Sequence, residues 1–241
     1  MILPTSNSSV KDLPVSVTFL IEAAKNTNLF LRILPSKFGV DGLVFFEILN
    51  QRNLSGFIGE VFKEALADLV SDVVPNPHPD GRPDLLDLSD EAAKQFFNLS
   101  CFDSLGGAVR SNLAPFPFGG IEVKCTIGNI TGASEYPIGK SRVEAISGLT
   151  YWAHHRHACD LLGLYYDFCA GTEGIPQIKA GFYSTLIEED WNIVSTGRSD
   201  RKKTSNTSVN RKGKEKIYSS AVFSSDEDLY NKAFERLGII L

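Results

Sequence analysis

Four prolines crowd into one short part of this chain, at Pro75, Pro77, Pro79 and Pro83. Proline fixes φ and donates no backbone hydrogen bond, so no helix interior or central strand can run through them. The stretch Pro75-Asn-Pro-His-Pro-Asp-Gly-Arg-Pro-Asp84 therefore splits the chain into a part before it and a part after it with different patterns. The part before, residues 1–73, reads as helical. Residues 15–34 mix apolar and polar side chains at helical spacing, residues 40–49 do likewise, and Pro35 separates them. From Asn53 onward Phe57, Val61, Ala65 and Leu69 recur every four residues, which predicts an amphipathic helix up to about Val73 with Glu60 across from its apolar stripe.

After the prolines the pattern turns to short strands. Leu85-Leu86-Asp87-Leu88 is a strand candidate, residues 90–98 suggest a helix, and Ile121-Glu-Val-Lys-Cys-Thr-Ile127 alternates as a half-buried strand does. Residues 141–158 read as partly helical. The β-rich runs 161–168 and 178–186 are spaced for a hairpin through 170–176. Residues 217–223 suggest another strand, and 226–237 a closing helix begun by Ser224 or Ser225. With 241 residues, 43% of them hydrophobic, the chain can bury one good core. No repeat or linker divides it, so a single mixed α/β domain spanning 1–241 is expected.

Other classes fall away on composition. Cys101, Cys125, Cys159 and Cys169 make no CxxC pair and no zinc spacing, and read as small buried thiols of a reducing compartment. The N-terminus lacks a basic head followed by an apolar run, and no segment approaches the roughly 20 apolar residues of a membrane span, so a cytoplasmic protein with no membrane partner is expected. Neither a G-x-S-x-G elbow nor a GxxxxGK[ST] loop is present. The net charge of −5 argues against a polyanionic partner until its distribution is considered. Between 195 and 217 lie Arg198, Arg201, Lys202, Lys203, Arg211, Lys212, Lys214 and Lys216, opposed only by Asp200 and Glu215. A basic segment on an acidic body can bind phosphates locally, because exposed charges are screened over about 8 Å at cellular salt.

One constellation carries chemistry. Residues two apart on a strand share a face, so Glu122 and Lys124 can address one phosphate together. Val123 and Cys125 would then face the core. Asp84 opens a second strand just after Pro83; if the two strands pair, its carboxylate can reach the same cation. A hard divalent metal held by one or two carboxylates, with a lysine beside it, suits phosphodiester hydrolysis. The nearby Asp80 and Asp87 remain alternatives to Asp84. A rival triplet, Asp200-Arg201-Lys202, lies in a hydrophilic stretch where no sheet would fix it.

Pro83-Asp84 followed by Glu122-Val123-Lys124 resembles the PD-(D/E)xK signature of type II restriction endonucleases. The 38-residue separation of Asp84 and Glu122 is long for that family and calls for an inserted helix. The resemblance implies a restriction-endonuclease-like core, a central mixed β-sheet flanked by α-helices, with the catalytic core at 74–190 and a basic loop at 195–217. It implies that Asp84 and Glu122 bind Mg²⁺ and that Lys124 assists the attacking water. Glu60, on the upstream helix, resembles the position of a further family glutamate.

Double-stranded DNA is the partner implied. His154, His155 and Arg156, together with Arg198, Arg201, Lys202, Lys203, Arg211 and Lys212, are the expected DNA contacts. His154, His155 and His157 lack the spacing of a zinc site. Tyr165, Tyr166, Phe182 and Tyr183 read as core or hairpin-face aromatics. A homodimer would match a palindromic site, and a cognate DNA methyltransferase accompanies such enzymes in the family. The alternatives are a repair or structure-selective nuclease of the same chemistry and a non-catalytic DNA-binding protein.

Overall fold

The computed structural model describes residues 2–5, 15–40, 45–46, 49, 51–126, 160–168, 175–192, 195–196, 205–206 and 209–225. Among these the main feature is a seven-stranded mixed sheet. Its strands are β1 (Leu3–Pro4), β2 (Val73–Pro75), β3 (Leu85–Asp87), β4 (Gly120–Thr126), β5 (Asp160–Phe168), β6 (Pro176–Thr185) and β9 (Ala221–Ser224), in the order β1-β9-β6-β5-β4-β3-β2. Strands β7 (Ser195–Thr196) and β8 (Ser205–Asn206) form a separate antiparallel ladder. Helices α1 (Val17–Lys37), α2 (Gln51–Ala67), α3 (Glu91–Ser100), α4 (Arg110–Leu113) and α5 (Arg211–Tyr218) accompany them. The mixed α/β architecture with flanking helices agrees with the sequence reading.

Strands β2, β3 and β4 run antiparallel in turn; β4 and β5 are parallel, and β5 and β6 pair antiparallel as the hairpin spacing predicts. A parallel pair needs a long crossover, and here residues 127–159 connect β4 to β5, outside the described residues together with the helix expected at 141–158. The β5 side chains from Leu161 to Phe168 are all buried, as in a central strand covered on both faces. Tyr165, Tyr166, Phe182 and Tyr183 are buried with it, which favours their core reading.

Helices α1 and α2 pack on each other, α1 against β6 and α2 against β4. Ser16 caps α1 by accepting from the Thr18 N–H, and Leu20, Ala24, Thr27 and Leu31 are buried at helical spacing. Pro35 lies inside α1 and does not end it. It sits in the last turn, where its missing donor removes a single helical bond. The buried row of α2 also differs from the expected one by a position. Leu54, Ile58, Phe62 and Leu66 are fully buried, while Phe57, Ala65 and Leu69 flank them half-buried. The apolar face is two rows wide, so either row satisfies a four-residue period. Helix α2 stops at Ala67 and Val73 already belongs to β2.

Helices α3 and α4 lie between Asp84 and Glu122, in the stretch that the sequence reading expects to be inserted. Leu86, Leu88, Ala93, Cys101, Leu113 and Phe116 give this insertion its own small core. Asp90 caps α3, which spans 91–100, close to the helix expected at 90–98.

The basic segment is not wholly a loop. Residues 195–196 and 205–206 form the β7–β8 ladder, Trp191 bridges Val209, and 211–218 are α5. Asn210 caps α5, and Gly213 and Ile217 are buried against the body. The strand expected from Ile217 therefore starts later, at Ala221. The helix expected at 226–237 lies outside the described residues.

Candidate active site

Strand β4 begins with a close approach to β3 that fixes how the two strands align. Gly120 has φ +144°, and a Cβ there would overlap the Leu85 carbonyl oxygen, so only glycine fits. The resulting register sets Leu85 opposite Ile121 and Leu86 opposite Gly120. One step further along, Asp84 faces Glu122. Ile121 and Val123 join the core under α1 and α2, with Cys125 packed against it, as the alternation predicts. Glu122 and Lys124 accordingly project from the other sheet face.

The loop before β3 is tied down. Asn76 donates from its amide to the Pro83 and Leu113 carbonyls, both at 3.0 Å, and accepts from the His78 N–H at 3.1 Å. The Arg82 N–H donates to Leu113 O at 2.8 Å, and Phe116 N–H donates to Arg82 O at 2.7 Å. A proline-rich loop is thereby anchored to the insertion, and Asp84 leaves it in a fixed direction.

Asp84 lies along the edge of β4. Its Oδ2 accepts from the Val123 N–H at 2.9 Å, and its Oδ1 accepts from Lys63 Nζ at 3.3 Å. Lys63 also donates to Glu60 Oε1 at 2.8 Å. Glu122 is buried, 3% exposed. Burial pushes its carboxyl up to about 8, and the Asp84 charge adds to that rise. Lys124, the Asp84 backbone N–H and Arg82 pull the other way. For Lys63, burial favours the neutral amine, but Asp84 and Glu60 together hold the ammonium above its ordinary value.

These groups line one cavity of about 570 Å³. Helix α2 contributes Gly56, Gly59, Glu60 and Lys63, the proline-rich loop Asp80, Arg82 and Asp84, and β4 Glu122 and Lys124. The structure thus brings together Asp84, Glu122, Lys124 and Glu60. Among the alternatives, Asp80 is exposed at the lip beside Arg110, at 3.9 Å. Asp87 instead accepts from the Ser89 N–H at 2.9 Å and does not line the cavity.

Two charged residues of the cavity, Lys63 and Arg82, are not among those the sequence singles out. Lys63 had a signal: positions 56, 59, 60 and 63 form one helical face carrying two glycines, a glutamate and a lysine. Such a face is too small and too polar to pack a core.

A cation suits this place. Two carboxylates are held close enough for one to raise the other, in a partly buried cleft, and a hard divalent ion would relieve both. Among the described residues no group of three or more His, Cys, Asp and Glu side chains is placed to hold a metal. Mg²⁺, which takes one or two carboxylates and keeps several waters, matches a pair of carboxylates.

The expected DNA contacts are only partly placed. Arg211 and Lys212 are exposed at the start of α5, which packs on β6, two strands from β4, so they do not line the cavity. His154, His155, Arg156, Arg198, Arg201, Lys202 and Lys203 lie outside the described residues. No helix among the described residues is long and apolar enough to cross a membrane. No protein-family model, curated protein or solved structure matches the chain.

Proposed function

We propose that this chain is a Mg²⁺-dependent endonuclease of the PD-(D/E)xK type, acting on double-stranded DNA as a type II restriction enzyme. The observation that carries the proposal is the apposition of Asp84 and buried Glu122 beside Lys124, which the register of β3 and β4 imposes. The mixed sheet flanked by helices is compatible with the restriction-endonuclease-like core of that family.

Asp84 and Glu122 would hold the ion. When bound, Mg²⁺ supplies Lewis-acid polarisation of the phosphate and lowers the pKa of its water. The protein's own groups do the rest. The Val123 N–H and Lys63 fix the Asp84 carboxylate. Lys124, on the same face as Glu122, would offer its ammonium to the attacking water and to the charge that develops on the phosphate. Gly56 and Gly59 leave the cavity floor open on the α2 side. Arg82, which also lines the cavity, would meet a neighbouring backbone phosphate.

The proposal extends to a homodimer with one such cavity per strand, to a companion methyltransferase and to a cytoplasmic setting. Incubating the protein with long natural duplex DNA and Mg²⁺ tests it. Discrete fragments support sequence-specific cutting. A smear or a preference for junctions supports a repair nuclease, and binding without cleavage supports a non-catalytic DNA-binding protein.

A further inference from the structure

We propose that Lys63 is an internal counter-ion that holds the metal's place on Asp84 and moves onto Glu60 when a divalent cation arrives. The inference rests on the reading of Asp84 and Glu122 as a Mg²⁺ site and adds a control element to it.

Lys63 lies on the cavity side of α2 with its side chain only 11% exposed. A buried ammonium is costly unless paired, and Lys63 has two partners, Asp84 Oδ1 at 3.3 Å and Glu60 Oε1 at 2.8 Å. The other Asp84 oxygen accepts from the Val123 N–H at 2.9 Å. Both oxygens of the carboxylate therefore accept hydrogen bonds from the protein's own groups. A divalent ion coordinating Asp84 would sit within a few ångströms of the Lys63 ammonium, where the low dielectric amplifies repulsion between them.

Glu60 resolves the conflict. It is one helical turn from Lys63, already in contact with it, and its side chain is 67% exposed. The ammonium can shift wholly to Glu60 without leaving the cavity wall. Gly56 and Gly59 put no side chain in its path. Glu60 then acts through Lys63 as a positioning residue and does not ligate the ion. Exchange of one cation for another keeps the Asp84 carboxylate neutralised in both states, so the cavity need not rearrange.

The test is Mg²⁺ binding to the full chain without DNA, by calorimetry and by the shift of Tm with MgCl₂. Lys63→Met is expected to lower the metal-free Tm and to bind Mg²⁺ roughly tenfold more tightly, a coupling of ordinary size. Lys63→Arg should resemble the wild type. Glu60→Gln should weaken binding, because the ammonium loses its second seat, and the double variant Lys63→Met/Glu60→Gln should match Lys63→Met. If Lys63→Met does not fold, Lys63→Gln is read by the same criterion. Wild-type binding that Glu122→Gln abolishes, combined with no tightening in the Lys63 variant, overturns the exchange and leaves the metal site standing. A double variant as weak as Glu60→Gln alone also overturns it, by making Glu60 a ligand. Absence of Mg²⁺ binding in the wild type and in the Lys63 variant overturns the metal site and the exchange together.

Discussion

Asp84 and Glu122 each accept a hydrogen bond from the other's strand: Asp84 Oδ2 from the Val123 N–H at 2.9 Å, and the Glu122 carboxylate from the Asp84 N–H. The two acids are thus fastened at the point where β3 begins, and neither can turn away without breaking a strand-end bond. Such fastening holds two carboxyl groups together in a partly buried cleft, where ionising both is costly unless a cation shares them.

That cost has a pH signature. With its carboxyl raised from 4.5 to about 8, Glu122 keeps its proton in the folded chain while the unfolded chain has lost it. Metal-free stability should be unaffected by this group below about pH 4.5 and should decline as pH rises from there towards 8. Urea denaturation across that range measures it. Glu122→Gln should flatten the decline; a variant that declines as steeply as the wild type would show that another group is responsible.

The two glycines before Glu122 differ in what they tolerate. Gly119 has φ +81° and nothing within 4 Å of an added Cβ, so Gly119→Ala should cost about 1 kcal/mol for the backbone conformation alone. Gly120→Ala would also press on the Leu85 carbonyl and should cost at least about 3 kcal/mol. Chemical denaturation of both variants is the check, and equal costs would contradict the close approach of β3 and β4.

Cations on α5 should separate into two kinds. Lys216 donates to buried Asp190 at 2.6 Å. Burial alone would raise that carboxyl, but the Ile187 N–H and Lys216 hold it below its ordinary value. Lys216→Met should therefore destabilise the chain by about 2 kcal/mol. Arg211 and Lys212 are exposed, and their replacement by Ala should spare stability. If α5 contacts DNA, each should lower the slope of log affinity against log salt by about 1. An unchanged slope would remove α5 from the DNA interface.

Much of this could be read from residues alone, for reasons that differ by element. The alternation from Ile121 to Ile127 marked β4 because a half-buried strand enforces a period of two, and the same alternation placed Glu122 and Lys124 on one face. Asp84 was legible because proline stops regular structure just ahead of it. Lys63 was not. Its face with Gly56, Gly59 and Glu60 carried a signal, but its neighbours Phe62 and Glu64 suit an ordinary solvated lysine, and the fold is what brings it beside Asp84. The row buried on α2 was missed by one position because two adjacent apolar rows share the same period. Helix α5 was hidden by charge, since Gly213 and Ile217 face inward among four lysines and arginines that resemble those of a loop.

The most direct measurement replaces the lysine beside the carboxylate pair. Duplex DNA is incubated with wild type and with Lys124→Ala in Mg²⁺, and binding of the same DNA is measured in Ca²⁺. The expected result is cleavage by the wild type, loss of cleavage by at least about a hundredfold in the variant, and binding that changes little. Cleavage at the wild-type rate by Lys124→Ala would contradict a reaction centre at Asp84, Glu122 and Lys124.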